Sequence, residues 1–156
     1  MIKTVKNISR SMFKKLNFYP TSKTPSKETH AYISIYGTEP DELPAPKINP
    51  SVWMTGIQLM FDDVDRDFDG YKMSLRMIQP HQADEIVRFV FDLHEMEKEV
   101  DLIVHCYAGV SRSAGVGKFV NDIFKLDLPN YNRLSLFNAT VYQQLVLAWD
   151  RLVNSL

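Results

Sequence analysis

The chain predicts an α/β domain built on a central, mostly parallel sheet of four to five strands flanked by helices. Three observations carry that expectation. Short apolar runs rich in β-branched residues recur along the chain, and amphipathic stretches of helical period lie between them. The strand-like runs are apolar almost continuously, as strands buried on both faces of a parallel sheet are. A length of 156 residues suits one domain, taken as residues 1–156, and 45% hydrophobic content argues against disorder.

The elements follow in order. Thr4 to Ser9 is the weakest strand candidate, and Ser11 to Leu16 can form a short helix after it. His30 to Tyr36 reads as a strand through Ala31, Tyr32, Ile33 and Ile35, ended by Gly37. Gly37 to Pro50 carries Pro40, Pro44, Pro46 and Pro50 and reads as a semi-rigid surface connector rather than a substrate-contacting loop. Val52 to Phe61 is the next strand, with Ile57, Leu59 and Met60, and an acidic stretch from Asp62 to Leu75 follows it. Ala83, Ile86, Val87, Val90 and Leu93 mark a helix over Pro80 to Glu97, with Pro80 in its first turn. Leu102 to His105 is a short strand. A helix starts directly after the segment that follows, near Arg112, with Val116, Phe119, Val120, Ile123 and Phe124 on one face. Val141, Leu145, Ala148 and Leu152 mark the last helix, and Asn138 is its natural N-cap.

Composition narrows the function. A net charge of −1 provides no global field for nucleic acid or a membrane surface. No apolar run approaches the ~20 residues of a spanning helix, and Met1 to Lys6 lack the apolar region of a signal peptide. A single cysteine leaves no internal disulfide and suits a reducing cytoplasm, the expected location.

That cysteine stands in His105-Cys106-Tyr107-Ala108-Gly109-Val110-Ser111-Arg112-Ser113, with an arginine six positions after it. The spacing lets a short loop curl around one tetrahedral oxyanion, its backbone N–H groups forming a nest. Cys106 lies at the base, and Arg112 closes the ring with a planar fork suited to two phosphate oxygens. Gly109 sits where the backbone must approach the anion closely. The strand delivers the sulfur, and the helix beginning near Arg112 turns its positive end toward the anion, which also favours the thiolate. Ser113 places a hydroxyl that can donate to the sulfur.

His-Cys-x-x-Gly-x-x-Arg-Ser resembles the signature of the cysteine-based protein tyrosine phosphatases. The version Ala108 to Ala114 is most similar to the dual-specificity branch and its small bacterial and phage relatives. Asp62 and Asp63 after a strand, an intervening helix, and the late set Asn138, Tyr142 and Leu145 fall in the family's order, so the resemblance spans Ala31 to Leu152. It implies a dual-specificity-phosphatase-like fold and a hydrolase needing no cofactor or metal. Cys106 would attack phosphorus and form a phosphocysteine intermediate. Arg112 and the amides of Tyr107, Ala108, Gly109, Val110 and Ser111 would hold the phosphoryl oxygens. Ser113 would assist thiolate departure, His105 would shape the loop and favour the ionised sulfur, and Asn138 would brace the loop from the last helix. Phosphate- and vanadate-type oxyanions are expected to bind there.

Phosphate-ester cleavage also needs a proton for the leaving oxygen, which a carboxylic acid over the loop supplies. The family places that aspartate after the strand that precedes the intervening helix. Asp63 is the first choice, with Asp62 and Asp65 as alternatives, and an insertion over Asp67 to Leu75 lengthens the distance to the cysteine.

Rival readings fail on spacing. Gly117-Lys118 is followed by Phe119 where a nucleotide P-loop needs Ser or Thr. His94-Glu95-Met96-Glu97-Lys98 lacks the second histidine of a zinc helix. Asp65, Asp67, Asp69 and Gly70 open like a calcium loop, but Lys72 and Arg76 occupy its later positions, so a solvated acidic turn is the preferred reading. The loop variables Tyr107, Ala108, Val110 and Ser111 contain no cation. Phosphoinositide phosphatases of the family add basic residues there, so the resemblance leans toward a phosphorylated protein or peptide, phosphotyrosine ahead of phosphoserine and phosphothreonine. A catalytically weak phosphate-binding adaptor is the alternative.

Overall fold

The computed structural model describes residues 1–18, 25–64, 76–126 and 136–156. Its elements run β1 (Ile2–Ser9), α1 (Arg10–Phe18), β2 (His30–Tyr36), a 3-10 turn (Pro40–Glu42), β3 (Thr55–Met60), α2 (Pro80–Glu95), β4 (Val100–Cys106), α3 (Arg112–Phe124) and α4 (Ala139–Ser155). The strands form one sheet in the order β1-β4-β2-β3, and each neighbouring pair is parallel. This is the α/β sheet expected from the continuous apolar runs, with four strands among the described residues.

Side-chain alternation divides the two faces. On β4, Val100, Leu102, Val104 and Cys106 join the main core with Ala31, Ile33 and Ile35 of β2, against α2, α3 and α4. The odd residues face the other way. Ile103 packs with Ile8, Phe13, Val52 and Trp53 in a smaller core beneath α1. There Phe13 stacks on His105, ring centroids 4.2 Å apart, and on Trp53 at 5.4 Å.

Several boundaries move from those expected. β3 begins at Thr55 rather than Val52, because Val52 and Trp53 are buried beneath α1 instead of joining the sheet. β1 extends back to Ile2, α1 covers Arg10–Phe18, and β4 starts at Val100. α2 stops at Glu95, since Met96 turns to an extended conformation. Its start is as expected: Pro80 occupies the first turn, and the Gln79 N–H donates to Gln82 Oε1 at 2.9 Å in a reciprocal cap. Asn138 caps α4, its Oδ1 accepting from Val141 N at 3.0 Å.

α1 is held over the sheet by a buried polar clasp. Asn17 Oδ1 accepts from Trp53 Nε1 at 2.7 Å and from Asn49 N at 3.3 Å, while Asn49 Nδ2 donates to the Asn17 carbonyl at 3.1 Å. Replacing Asn17 by alanine leaves the buried indole N–H without an acceptor. We expect Asn17→Ala to lower unfolding free energy by about 2 kcal/mol in urea denaturation. An unchanged midpoint would mean that the clasp does not hold α1 in place.

Candidate active site

All four strands run in one direction, so their carboxyl ends meet at one edge of the sheet, where ligand sites of open α/β sheets lie. β1 delivers Arg10, β2 leads to Thr38 and Glu42, β3 to Phe61, Asp62 and Asp63, and β4 to the cysteine loop.

Cys106 ends β4 on the face covered by α3 and is 2% exposed. Its Sγ accepts from the Gly109 N–H at 3.3 Å and lies 3.2 Å from Ser113 Oγ. Gly109 has φ of 79°, and a Cβ there would sit 2.5 Å from the Ile8 carbonyl carbon and 2.6 Å from Ser9 N. Both obstacles are backbone, so only glycine fits. The loop is pinned from the same side: Asn7 Nδ2 donates to Gly109 O at 2.9 Å, and the Arg10 N–H to Tyr107 O at 3.0 Å. Gly109 apart, the amides of Ala108 to Arg112 have no acceptor among the described residues.

Arg112 is buried at 3% exposure. Its Nη1 donates to Phe61 O at 3.0 Å and its Nη2 to Glu42 Oε1 at 2.7 Å. Glu42 is itself buried and also accepts from Gly37 N at 3.1 Å. Arg112 Nε is buried and has no acceptor among the described residues. A buried guanidinium N–H without a partner is uncommon in native structures and points to a ligand oxygen beside it. The Gly37–Pro50 segment is thus more than the connector expected, because it carries Glu42 to the loop arginine. Sequence reasoning missed Glu42, since an acid in a proline-rich stretch carries the same local signal as a solvated one. The one available hint was that a buried arginine requires a carboxylate partner.

The neighbouring aspartates go opposite ways. Asp62 is buried and accepts from Thr38 N at 2.7 Å, Thr38 Oγ1 at 2.6 Å and Arg76 N at 2.7 Å. Burial alone would raise its carboxyl, but those donors and the Arg112 charge outweigh it and hold Asp62 below the ordinary carboxylate range. Asp63 is exposed and faces the loop: its Oδ1 accepts from Ser111 Oγ at 2.7 Å and Asn138 Nδ2 at 2.8 Å. Asn138 also donates to Val64 O at 3.2 Å and, through its N–H, to Ser111 O at 3.0 Å, tying the loop, the aspartate and α4 together. Asp65 and the Asp65–Gly70 stretch lie outside the described residues. No cluster of metal-ligating side chains occurs among the described residues.

His105 lies on the opposite sheet face from Cys106. Its Nδ1 is 3.1 Å from Cys106 O and its Nε2 is 2.7 Å from Ser34 Oγ. A carbonyl can only accept, which places the proton on Nδ1 and makes Nε2 the acceptor of the Ser34 hydroxyl. Burial lowers its pKa to about 4, assisted by the Arg10 and Arg112 charges and opposed by the bond to Cys106 O. The imidazole is therefore neutral at pH 7, and it acts on the loop as a neutral donor.

The sheet, its helices and this strand–loop–helix edge have the PTP-like α/β fold. The crystal structure of PTPMT1 is similar to this chain, with a TM-score of 0.50 and 14% sequence identity over 98% of this chain and 94% of that one. At that identity the likeness is one of fold. No family model matches the chain, and no curated protein is significantly similar to it in sequence.

Gly109→Ala forces a side chain into the β1 backbone at a left-handed position, and it should cost about 2 kcal/mol or more in thermal or urea unfolding. Unshifted stability in that variant would contradict the close approach to Ile8 and Ser9.

Stability should also depend on pH through His105. The native state keeps this residue neutral down to about 4, whereas the unfolded chain takes up a proton below its ordinary 6.5. Stability is then full above pH 6.5 and falls as pH drops toward 4, with about 3 kcal/mol at stake from this residue. His30 and His94, both lowered mainly by burial, act in the same direction. Asp62 acts separately, its contribution being lost only below the ordinary carboxylate value of 3.8. Urea midpoints between pH 7 and 4 should fall less steeply in His105→Asn; an identical slope would place the linkage elsewhere.

Proposed function

We propose that the chain is a cysteine-dependent phosphatase that hydrolyses phosphomonoesters on proteins, phosphotyrosine ahead of phosphoserine and phosphothreonine, through a phosphocysteine intermediate. The observation that carries this reading is the unpartnered, buried Nε of Arg112 on the same loop as the Cys106 sulfur. The PTP-like fold, shared with PTPMT1, accords with phosphate-ester chemistry. The choice of a protein substrate rests on the loop of this chain, where Tyr107, Ala108, Val110 and Ser111 bring no cation for a second phosphate on the same ring.

In the reaction, the loop amides and the Arg112 Nε–H, which has no acceptor among the described residues, hold the phosphoryl oxygens, and the Cys106 thiolate attacks phosphorus. The P–O bond to the substrate breaks, and the departing oxygen takes a proton from Asp63. Among the described residues only Oδ1 of Asp63 is engaged, by Ser111 and Asn138, which leaves Oδ2 to carry that proton. Asp62 is unsuited, because three donors require it ionised. Water then attacks the phosphocysteine, Asp63 takes its proton, and the P–S bond breaks with the sulfur leaving as thiolate toward the Ser113 hydroxyl. Inorganic phosphate and the starting enzyme result.

The test is turnover of p-nitrophenyl phosphate and a phosphotyrosine peptide in EDTA. We expect steady hydrolysis, loss of activity in Cys106→Ser, and inhibition by vanadate. Asp63→Asn should lower kcat about a hundredfold or more on poor leaving groups and less on p-nitrophenolate. Phosphate binding without any turnover by the intact chain would overturn the enzymatic reading in favour of a phosphate-binding module.

A further inference from the structure

We propose that the cleft between α1 and the cysteine loop is a second anion-binding subsite, and that the phosphopeptides accepted here carry acidic residues two or three positions from the phosphorylated one. The inference rests on the phosphatase reading of the loop. The cleft is lined by Arg10, Ser11, Lys14, Lys15, Asp41 and Tyr107. Its lining sets three cations against one carboxylate, in a chain whose net charge is −1.

The cleft adjoins the loop directly. Tyr107 follows Cys106, and its carbonyl receives the N–H of Arg10, the first residue of α1. The Arg10 guanidinium donates to the carbonyls of Glu42 and Pro44, which hold it in place without cancelling its charge. Lys14 and Lys15 are exposed, and neither they nor Arg10 form an ion pair among the described residues. One helical turn separates them from Arg10, about 6–8 Å along the axis. An extended peptide advances about 3.3 Å per residue, so a phosphorylated residue in the loop places neighbours two or three positions away over these lysines. Tyr107, at 47% exposure on the rim, offers an aromatic surface to the peptide between the two points.

The experiment compares matched phosphotyrosine peptides bearing glutamate, alanine or lysine at the flanking positions. Wild type should favour the glutamate peptide over the alanine peptide by about tenfold in kcat/KM, carried mainly by KM and shrinking with added salt. The preference should collapse toward parity in Lys14→Ala/Lys15→Ala and reverse toward the lysine peptide in Lys14→Glu/Lys15→Glu. Both sites are exposed, so folding of these variants is not at issue. Equal use of the peptides by wild type, or an acidic preference that survives charge reversal, overturns the subsite. Preferential turnover of phosphatidic acid in phosphatidylcholine vesicles over the acidic peptide overturns the peptide assignment.

Wild-type turnover of p-nitrophenyl phosphate separates this idea from the reading beneath it. Hydrolysis of that small ester without acidic preference overturns the subsite alone. No hydrolysis, with lysine-dependent binding of the acidic phosphopeptide, upholds the subsite and overturns the enzyme. Neither hydrolysis nor binding overturns both.

Discussion

A buried guanidinium is the constraint around which the carboxyl edge of this sheet is arranged. Arg112 begins α3 at 3% exposure, and an unpaired cation there would carry a desolvation penalty of several kcal/mol. Glu42 answers that penalty from 70 residues away, and its own position depends on the turn after β2. Gly37 leaves room for both carboxylates: a Cβ there would lie 2.5 Å from Asp62 Oδ1 and 2.7 Å from Glu42 Oε2, and both side chains would have to shift. The Phe61 carbonyl supplies another acceptor and draws in the end of β3. The guanidinium therefore couples the ends of β2 and β3 to the start of α3, oriented so that Nε has no acceptor among the described residues.

The loop gains its asymmetry from the pleat of β4. Successive side chains of a strand point to opposite faces, so His105 and Cys106 enter different environments although they are adjacent. Cys106 meets Ser113 at the start of α3. His105 is inserted into the smaller core, stacked on Phe13 and bonded to Ser34, whose hydroxyl also receives Gln58 Nε2 at 3.3 Å. A neutral imidazole contributes no net positive charge. The cations that bear on this part of the loop are Arg10 and Arg112, beside the N-terminus of α3. His105 contributes rigidity, because both ring nitrogens are committed and its ring plane is packed.

Much of the architecture was legible because it follows from period and capping. β2 has the expected limits, His30 and Tyr36, and α4 starts behind Asn138 as its cap predicts. Val52 and Trp53 misled because apolar character reports burial and not strand pairing; their burial is against α1. The paired aspartates illustrate a different limit. Chemically identical neighbours after a strand differ only in which way the extended chain turns them, and that depends on Thr38 and Asn138, both distant in sequence. Glu42 was invisible for the same reason, since its burial is created by a partner that only the fold brings near.

The placement of cations also changes what the uncharged variable positions of the loop, Tyr107, Ala108, Val110 and Ser111, mean. Lysine or arginine within the loop would meet a second phosphate on the same small ring, at hydrogen-bond distance from the scissile group. Cations on α1 are fixed beyond Tyr107 by the Arg10 N–H bond to its carbonyl, and the lysines stand a further helical turn away. Charges at that range act through a screened field, with a Debye length of about 8 Å at physiological ionic strength. On the proposed reading they do little to tell one phosphate from another at the sulfur and act on what flanks the phosphate. A loop whose variable positions carry no charge, beside a helix that carries three cations, separates the anion cradle from the charges that flank it.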